Sequence, residues 1–289
     1  MSSSELLARI AAAKVAVLGQ TALLHREFGR AESKWKSDGT RVTATDVAIS
    51  ENIFRELATQ FPADQFFSEE LAATEAPIPV TARFSWVLDP IDGTNNFALG
   101  FPHCAISLAL CEHGEPIYGV VYDLSRRVLI HGGPGFGLQD GARAAGVKRA
   151  AFSRETLIGF HSPSDKQLIP MASGVLSHFK IRGLGSATLH LAYVAAGLLD
   201  GCVDYNVKIW DLAAAIPLVI TGRSPTDSVR VVTGPVPVAL LALSKTEALP
   251  VVVAVPEIAP VVVSAVKPTG KLLTLKLVTA GTTTEAVIE

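Results

Sequence analysis

The densest chemistry in the chain is the run Trp86-Val87-Leu88-Asp89-Pro90-Ile91-Asp92-Gly93-Thr94-Asn95-Asn96-Phe97. An apolar strand pattern over 84–88 delivers Asp89 to its end. Pro90 has no amide hydrogen for a sheet ladder, so the strand is expected to stop there. Asp92 follows in a turn, and Gly93 permits a backbone conformation that a side chain would forbid. Two carboxylates this close, with carbonyls and amides between them, suit a hard divalent cation. Mg²⁺ takes oxygen ligands in a tight octahedron and keeps positions for water or a phosphate. Thr94 adds a hydroxyl and an amide, and a helix beginning after Gly93 would make its N-terminus a phosphate seat. The competing reading is an Asx-rich turn after a strand, and this run alone leaves both open.

Two other acidic positions join it. Glu69-Glu70 closes a short apolar run over 65–67, and Asp211, after Trp210, opens a helical pattern. Singly, the first reads as a solvated pair and the second as an ordinary helix cap. Together with Asp89 and Asp92 they read as a metal-binding set.

The elements that must position these residues come in blocks. Helical spacing covers 4–30, 46–60, 165–178, 187–199 and 211–220, with Asp46 in the first turn of the second helix. Strand patterns cover 104–111, 117–122, 128–131, 158–160 and 202–205, and 71–82 reads as a loop. Gly183-Leu184-Gly185-Ser186-Ala187 is a glycine turn feeding a helix. Blocks of strands and helices, rather than strict alternation, predict an α+β layered sandwich.

Composition narrows the function classes. The chain has 289 residues, 49% hydrophobic and 18% charged, with net charge −2. No basic surface announces nucleic acid. Cys104, Cys111 and Cys202 are too few and scattered for a disulfide scaffold or a zinc cluster, and are expected to be small buried hydrophobes. The mean hydropathy of +0.37 raises the question of a membrane span. The longest apolar run, 251–266, is interrupted by Pro256, Glu257 and Pro260, short of the roughly 20 residues a span needs. The N-terminus lacks the charged and apolar regions of a secretory signal, so no membrane and a cytoplasmic location are expected.

The composition is also uneven. Every Phe, Trp and Tyr lies in the first 220 residues, and 221–289 are rich in Val, Thr, Ala and Pro. The β-branched runs at 229–232, 251–255, 261–266 and 272–278 fit added edge strands. Two domains are expected. Residues 1–150 form an α+β domain with the metal site, and 151–289 an α/β domain that completes it and carries the atypical tail 221–289.

Four blocks now carry a resemblance. Lys36-Ser37-Asp38-Gly39 leads to Val42-Thr43-Ala44-Thr45-Asp46. Ser68-Glu69-Glu70 comes next, then the Trp86–Phe97 run, then Trp210-Asp211-Leu212-Ala213-Ala214. In this order and spacing they resemble the inositol monophosphatase family of metal-dependent, lithium-sensitive phosphatases, over about residues 5–220. The resemblance implies a layered αβαβα sandwich with largely antiparallel sheets, a homodimer, and two or three Mg²⁺ per active site. It implies that Glu69, Asp89 and the Ile91 carbonyl hold one metal, and that Asp89, Asp92 and Asp211 hold a second. Glu69 would also help activate the attacking water, with Thr94 and Asp46 as a supporting pair and Lys36 near the phosphate. The amides of Gly93 and Thr94 would take phosphate oxygens, and Gly185, Ser186 and Ala187 would meet the substrate's alcohol portion.

The substrate implied is a small phosphorylated metabolite, an inositol, sugar or polyol monophosphate. Relatives handle histidinol phosphate, 3′-phosphoadenosine 5′-phosphate and fructose 1,6-bisphosphate, and a non-catalytic relative is the rival of another class. The chain departs from the family pattern at Asp204, where a glutamate often binds a sugar hydroxyl, with Asn206 as a second candidate for that contact. It departs again beyond residue 220, where only a faint echo of the family pattern is present.

Overall fold

The computed structural model describes residues 3–36, 39–71, 80–148, 153–161, 169–204, 207–222, 230–232, 251–254, 276–279 and 282–285. The first helical stretch is two helices, α1 (Ser3–Gly19) and α2 (Thr21–Glu27). The break at Gln20 has a local cause: Gly19 is a weak helix former, and the Thr21 hydroxyl bonds the Leu18 carbonyl at 2.8 Å. Ser4–Glu27 is the one segment among the described residues that is long and apolar enough to cross a membrane, by length and composition only. Of the apolar run 251–266, only 251–254 are described. The inner face of α1 packs as a core helix, with Ile10, Ala13, Ala16 and Val17 buried, and Arg9 pairs with Asp64 at 2.7 Å.

A short hairpin, β1 (Ser33–Trp35) with β2 (Arg41–Thr43), leads into α3 (Ala44–Gln60). Thr43 caps α3: its hydroxyl accepts from the Thr45 and Asp46 amides while Asp46 takes the Thr43 amide in return. The central sheet follows: β3 (Gln65–Ser68), β4 (Phe84–Asp92), β5 (Ala105–Glu112), β6 (Glu115–Asp123), β7 (Val128–Gly133), β8 (Gly137–Asp140) and β9 (Arg143–Ala144). These strands lie side by side in chain order, antiparallel except that β3 and β4 run parallel.

Alternation along these strands divides two cores. Trp86, Leu88, Ile106, Leu108, Leu110 and Val120 point to the side of α1 and α3. Val87, Ala105, Ala109, Cys111, Val121 and Ile130 point to the other side. There they meet α6 (Ala187–Ala195), α7 (Ile209–Ala213) and α8 (Ala215–Gly222). Beyond these helices lies a second sheet in the order β11 (Lys180–Arg182), β10 (Leu157–Phe160), β12 (Gly201–Asp204), β14 (Val251–Ala254), β13 (Arg230–Val232). Its first three strands are parallel, and β14 runs antiparallel to both neighbours. Val175 and Phe179, from α5 (Ile169–His178) and its end, pack on Ile158, Phe160 and Val203. The layers thus run helix, sheet, helix, sheet, helix, the αβαβα order expected.

Parts of the tail patterns become strands, β13 and β14 in the second sheet and a separate hairpin of β15 (Lys276–Thr279) with β16 (Thr282–Glu285). The expected strand at 261–266 lies outside the described residues. All three cysteines are free and buried.

The layers approach closely at Gly119, on β6. A Cβ there would sit 1.8 Å from the Ala214 carbonyl oxygen, so the helix layer rests directly on the strand backbone. Gly119→Ala is expected to destabilise the protein by about 2 kcal/mol or more, because a backbone contact cannot yield as a side chain does. Urea unfolding checks this, and an unchanged midpoint would contradict the close approach.

Candidate active site

The site gathers at the end of β4. The strand does not stop at Asp89 as Pro90 suggested; it continues to Asp92. Asp89 pairs with Ser107 and Asp92 with Ala105, so the register slips between them. Pro90 sits in this bulge, where its missing amide leaves no ladder bond unmade. The bulge also turns both carboxylates to one place. Gly93, at φ +89°, then caps α4 (Thr94–Leu99), and a Cβ on it would lie 2.9 Å from the His103 carbonyl. A side chain is excluded there on conformation and on space.

Asp89, Asp92 and Asp211 come together. One oxygen from each lies within 4.8 Å of the others. Asp89 is buried, and its Oδ1 accepts the Ile91 amide at 3.0 Å. Asp92 Oδ2 accepts the Ser186 hydroxyl at 2.7 Å and the Thr188 amide at 2.6 Å. Asp211 is the third residue of α7 rather than its cap, and its Oδ2 accepts the Lys208 amide at 2.5 Å. Each carboxylate is therefore aimed by a different segment.

Glu69 stands beside this trio, held by Lys36. Lys36 Nζ donates to Glu69 and to Glu70 at 2.6 Å each. Asp46 Oδ1 lies 3.2 Å from the Thr94 hydroxyl, which also lies 2.8 Å from the Ile91 carbonyl oxygen. A hydroxyl has one hydrogen, so Thr94 serves one of these acceptors at a time.

The electrostatics are those of crowded like charges, Asp89 buried and the others half-buried. Burial, then the charges of Glu69, Asp92 and Asp211, pushes Asp89 well above the usual carboxylate range. Burial and then Asp92 do the same to Asp211. Asp92 is raised by burial although its bonds from Ser186 and Thr188 oppose the shift. Glu69 is raised by burial against the pull of Lys36, and Glu70 is pushed to about 7. Burial works against the charge on Lys36, but Glu69 and Glu70 outweigh it and hold Lys36 above an ordinary lysine. Lys36 is the only cation paired with these acids among the described residues. An all-oxygen donor set with this surplus of negative charge fits a hard divalent cation.

The other predicted residues are placed as follows. Gly185 has φ +72° in the turn before α6, Ser186 caps that helix through the Leu189 amide, and Ala187 is buried in its first turn. Asp204, at the end of β12, is 1% exposed and bonds His190 at 2.7 Å. Asn206 lies outside the described residues.

A family model described as the inositol monophosphatase family matches residues 3–220. The chain belongs to the inositol monophosphatase family. An inositol-1-monophosphatase of Mesorhizobium japonicum is 33% identical over 208 residues, which cover 68% of this chain and 76% of that protein. Among solved structures, the extragenic suppressor protein suhB from Bartonella henselae matches with TM-score 0.69 at 27% identity, covering 78% of this chain and 87% of that one. A Thermotoga maritima IMPase matches with TM-score 0.67 at 29% identity, covering 77% and 85%. As a member of this family the chain is a phosphoric monoester hydrolase.

Sequence reasoning missed several contacts in this family member. Ser186 and Thr188 grip Asp92 across more than ninety residues. Asn96 donates to the carbonyls of His103 and Leu184, at 2.7 Å each, and so ties α4 to the 183–186 turn. Nothing local to His190 in the sequence points it at Asp204. The Asn96 role had a weak signal, an amide inside the densest motif.

Proposed function

We propose that the protein hydrolyses a small phosphomonoester, of an inositol or a related polyol, with Mg²⁺ held at the acidic cluster. The convergence of Asp89, Asp92 and Asp211 from two distant segments carries this reading. Asp89, Asp92 and Asp211 would hold one ion, and Glu69, Asp89 and the Ile91 carbonyl another. When bound, a divalent cation supplies positive charge against the phosphate dianion and lowers the pKa of a coordinated water.

The chain's own residues do the positioning. Lys36 holds Glu69 in place and supplies a permanent positive charge beside it. Glu69, raised by burial, is suited to accept a proton from the attacking water. Thr94 can turn its single hydrogen toward Asp46 Oδ1 or the Ile91 carbonyl oxygen, which leaves an oxygen lone pair to accept a hydrogen bond from the attacking water. The Gly93 and Thr94 amides take phosphate oxygens. Gly185, Ser186, Ala187 and Asp204 meet the alcohol portion. We further propose a cytoplasmic homodimer.

The test is hydrolysis of inositol 1-phosphate, histidinol phosphate, 3′-phosphoadenosine 5′-phosphate and fructose 1,6-bisphosphate, with Mg²⁺ and with chelator. Release of phosphate from inositol 1-phosphate only with Mg²⁺ is expected. Preference for another ester would move the substrate. No turnover of any ester while Mg²⁺ still binds would leave a non-catalytic relative.

A further inference from the structure

Two of the clustered carboxylates, Asp92 on β4 and Asp211 on α7, meet at one residue that carries no charge. Thr188, in the first turn of α6, is fully buried. Its amide donates to Asp92 Oδ2 at 2.6 Å, and its hydroxyl donates to the Asp211 carbonyl oxygen at 3.0 Å. The same hydroxyl also faces the Asp92 carboxylate. Its single hydrogen serves one of these acceptors at a time, and both belong to the acidic cluster. The sequence pattern singled out Ser186 and Ala187 beside it, but not Thr188.

The two sides of this junction differ in stiffness. All nine residues of α6 are buried, so the helix is packed on every face. Ser186, its cap, adds a second donor to Asp92 Oδ2 at 2.7 Å. α7 has only five residues, and the last carbonyls of so short a helix find no amide within it. The Lys208 amide aims the Asp211 carboxylate, while Thr188 holds the Asp211 backbone. A small hard cation tolerates little error in the spacing of its oxygens. A tie between two of its ligand residues therefore acts on how well the ion is held.

We infer that Thr188 is a positioning residue for the metal centre: its amide and hydroxyl fix the Asp92 carboxylate against the Asp211 backbone, and so set the affinity for the ion these residues would hold. The inference rests on the metal-dependent reading above and adds to it a neutral residue that controls the ligand spacing.

Calorimetric titration of the metal-free protein with Mg²⁺ reads the effect without turnover. Thr188→Val keeps the amide and the branched shape and removes the hydroxyl. Its apparent Mg²⁺ dissociation constant is expected to rise about tenfold or more. The Mg²⁺ concentration for half-maximal hydrolysis of inositol 1-phosphate should rise with it. Thr188→Ser keeps the hydroxyl and is expected to bind Mg²⁺ within about threefold of wild type.

Tyr193→Phe is the control on the same helix. It removes another buried hydroxyl, the one that donates to Asp123 at 2.6 Å, and is expected to leave the constant within about threefold of wild type. An unchanged constant in Thr188→Val, no rescue by Ser, or an equal loss in Tyr193→Phe would each overturn the inference, the last because loosening α6 would then suffice. Should Thr188→Val not fold, Thr188→Ala carries the same expectation and the same refutation. Wild type that binds Mg²⁺ but hydrolyses no ester would end the phosphatase reading and leave the Thr188 comparison intact. Wild type that binds no Mg²⁺ would end both.

Discussion

Asp92→Asn is expected to lower kcat/KM on the best substrate by about three orders of magnitude while leaving the fold in place. Asp92 Oδ2 accepts from the Ser186 hydroxyl and the Thr188 amide. An asparagine carbonyl can take both donors, so the 183–188 segment stays docked on β4. Its amide nitrogen then faces Asp89 and Asp211, where a cation needs an anionic oxygen. The loss is thus of charge and lone pair, not of shape. Stability of the metal-free protein should not suffer, because a buried like charge beside Asp211 has been removed. Asp92→Ala makes the contrast, since it strands two donors and is expected to cost about 1–3 kcal/mol of stability for each one left unsatisfied. Steady-state kinetics and thermal melting in chelator read both effects. Near-normal turnover in Asp92→Asn would remove Asp92 from the site.

The second large effect is on stability against pH. Asp46, Glu69, Asp89, Asp92 and Asp211 all have carboxyls raised above their ordinary values, mainly by burial. Glu70 is pushed to about 7. The unfolded chain gives up these protons near pH 4, while the folded chain keeps them to higher pH. Between those limits the folded state binds more protons, so its stability falls as pH rises. Lys36 is shifted up from an already high value and stays charged in both states across this range, so it adds no slope. In chelator, the protein is expected to melt at a lower temperature at pH 8 than at pH 6.

Mg²⁺ should reverse that order. At one hundred times its dissociation constant, a ligand that binds only the folded state adds about 2.7 kcal/mol. For a chain of this size that is a rise of roughly 5–10 °C in melting temperature. The rise should be larger at pH 8, where fewer protons must leave before the ion can bind. Equal melting at the two pH values in chelator, or no response to Mg²⁺ at either, would contradict the crowded carboxylates.

Much of the site was legible because its chemistry is local. Asp89, Asp92, Gly93 and Thr94 lie within six residues, and short-range sterics decide how a glycine turn after a strand aims them. Thr43 and Asp46 form a capping box whose spacing is set by one turn of helix. The apolar run 84–88 marked a buried strand, and the structure divides it between two cores, Trp86 and Leu88 on one face and Val87 on the other. Where local signals conflicted, they misled. Pro90 marked a strand end by its missing amide, but a bulge absorbs that loss and β4 runs on to Asp92.

What the chain alone determined was the inventory: which carboxylates are available, which segments bend, and which faces are apolar. Those follow from residue type and from separations of a few positions. The tertiary structure decided the pairings, Asp211 with Asp89 and Asp92, Ser186 with Asp92, His190 with Asp204. Those contacts join different layers, and their geometry depends on how the helices seat on the sheets. The physical reason is one of range. Backbone sterics and hydrogen-bond spacing act over one turn of chain, whereas packing against a twisted sheet sets distances between residues far apart in sequence.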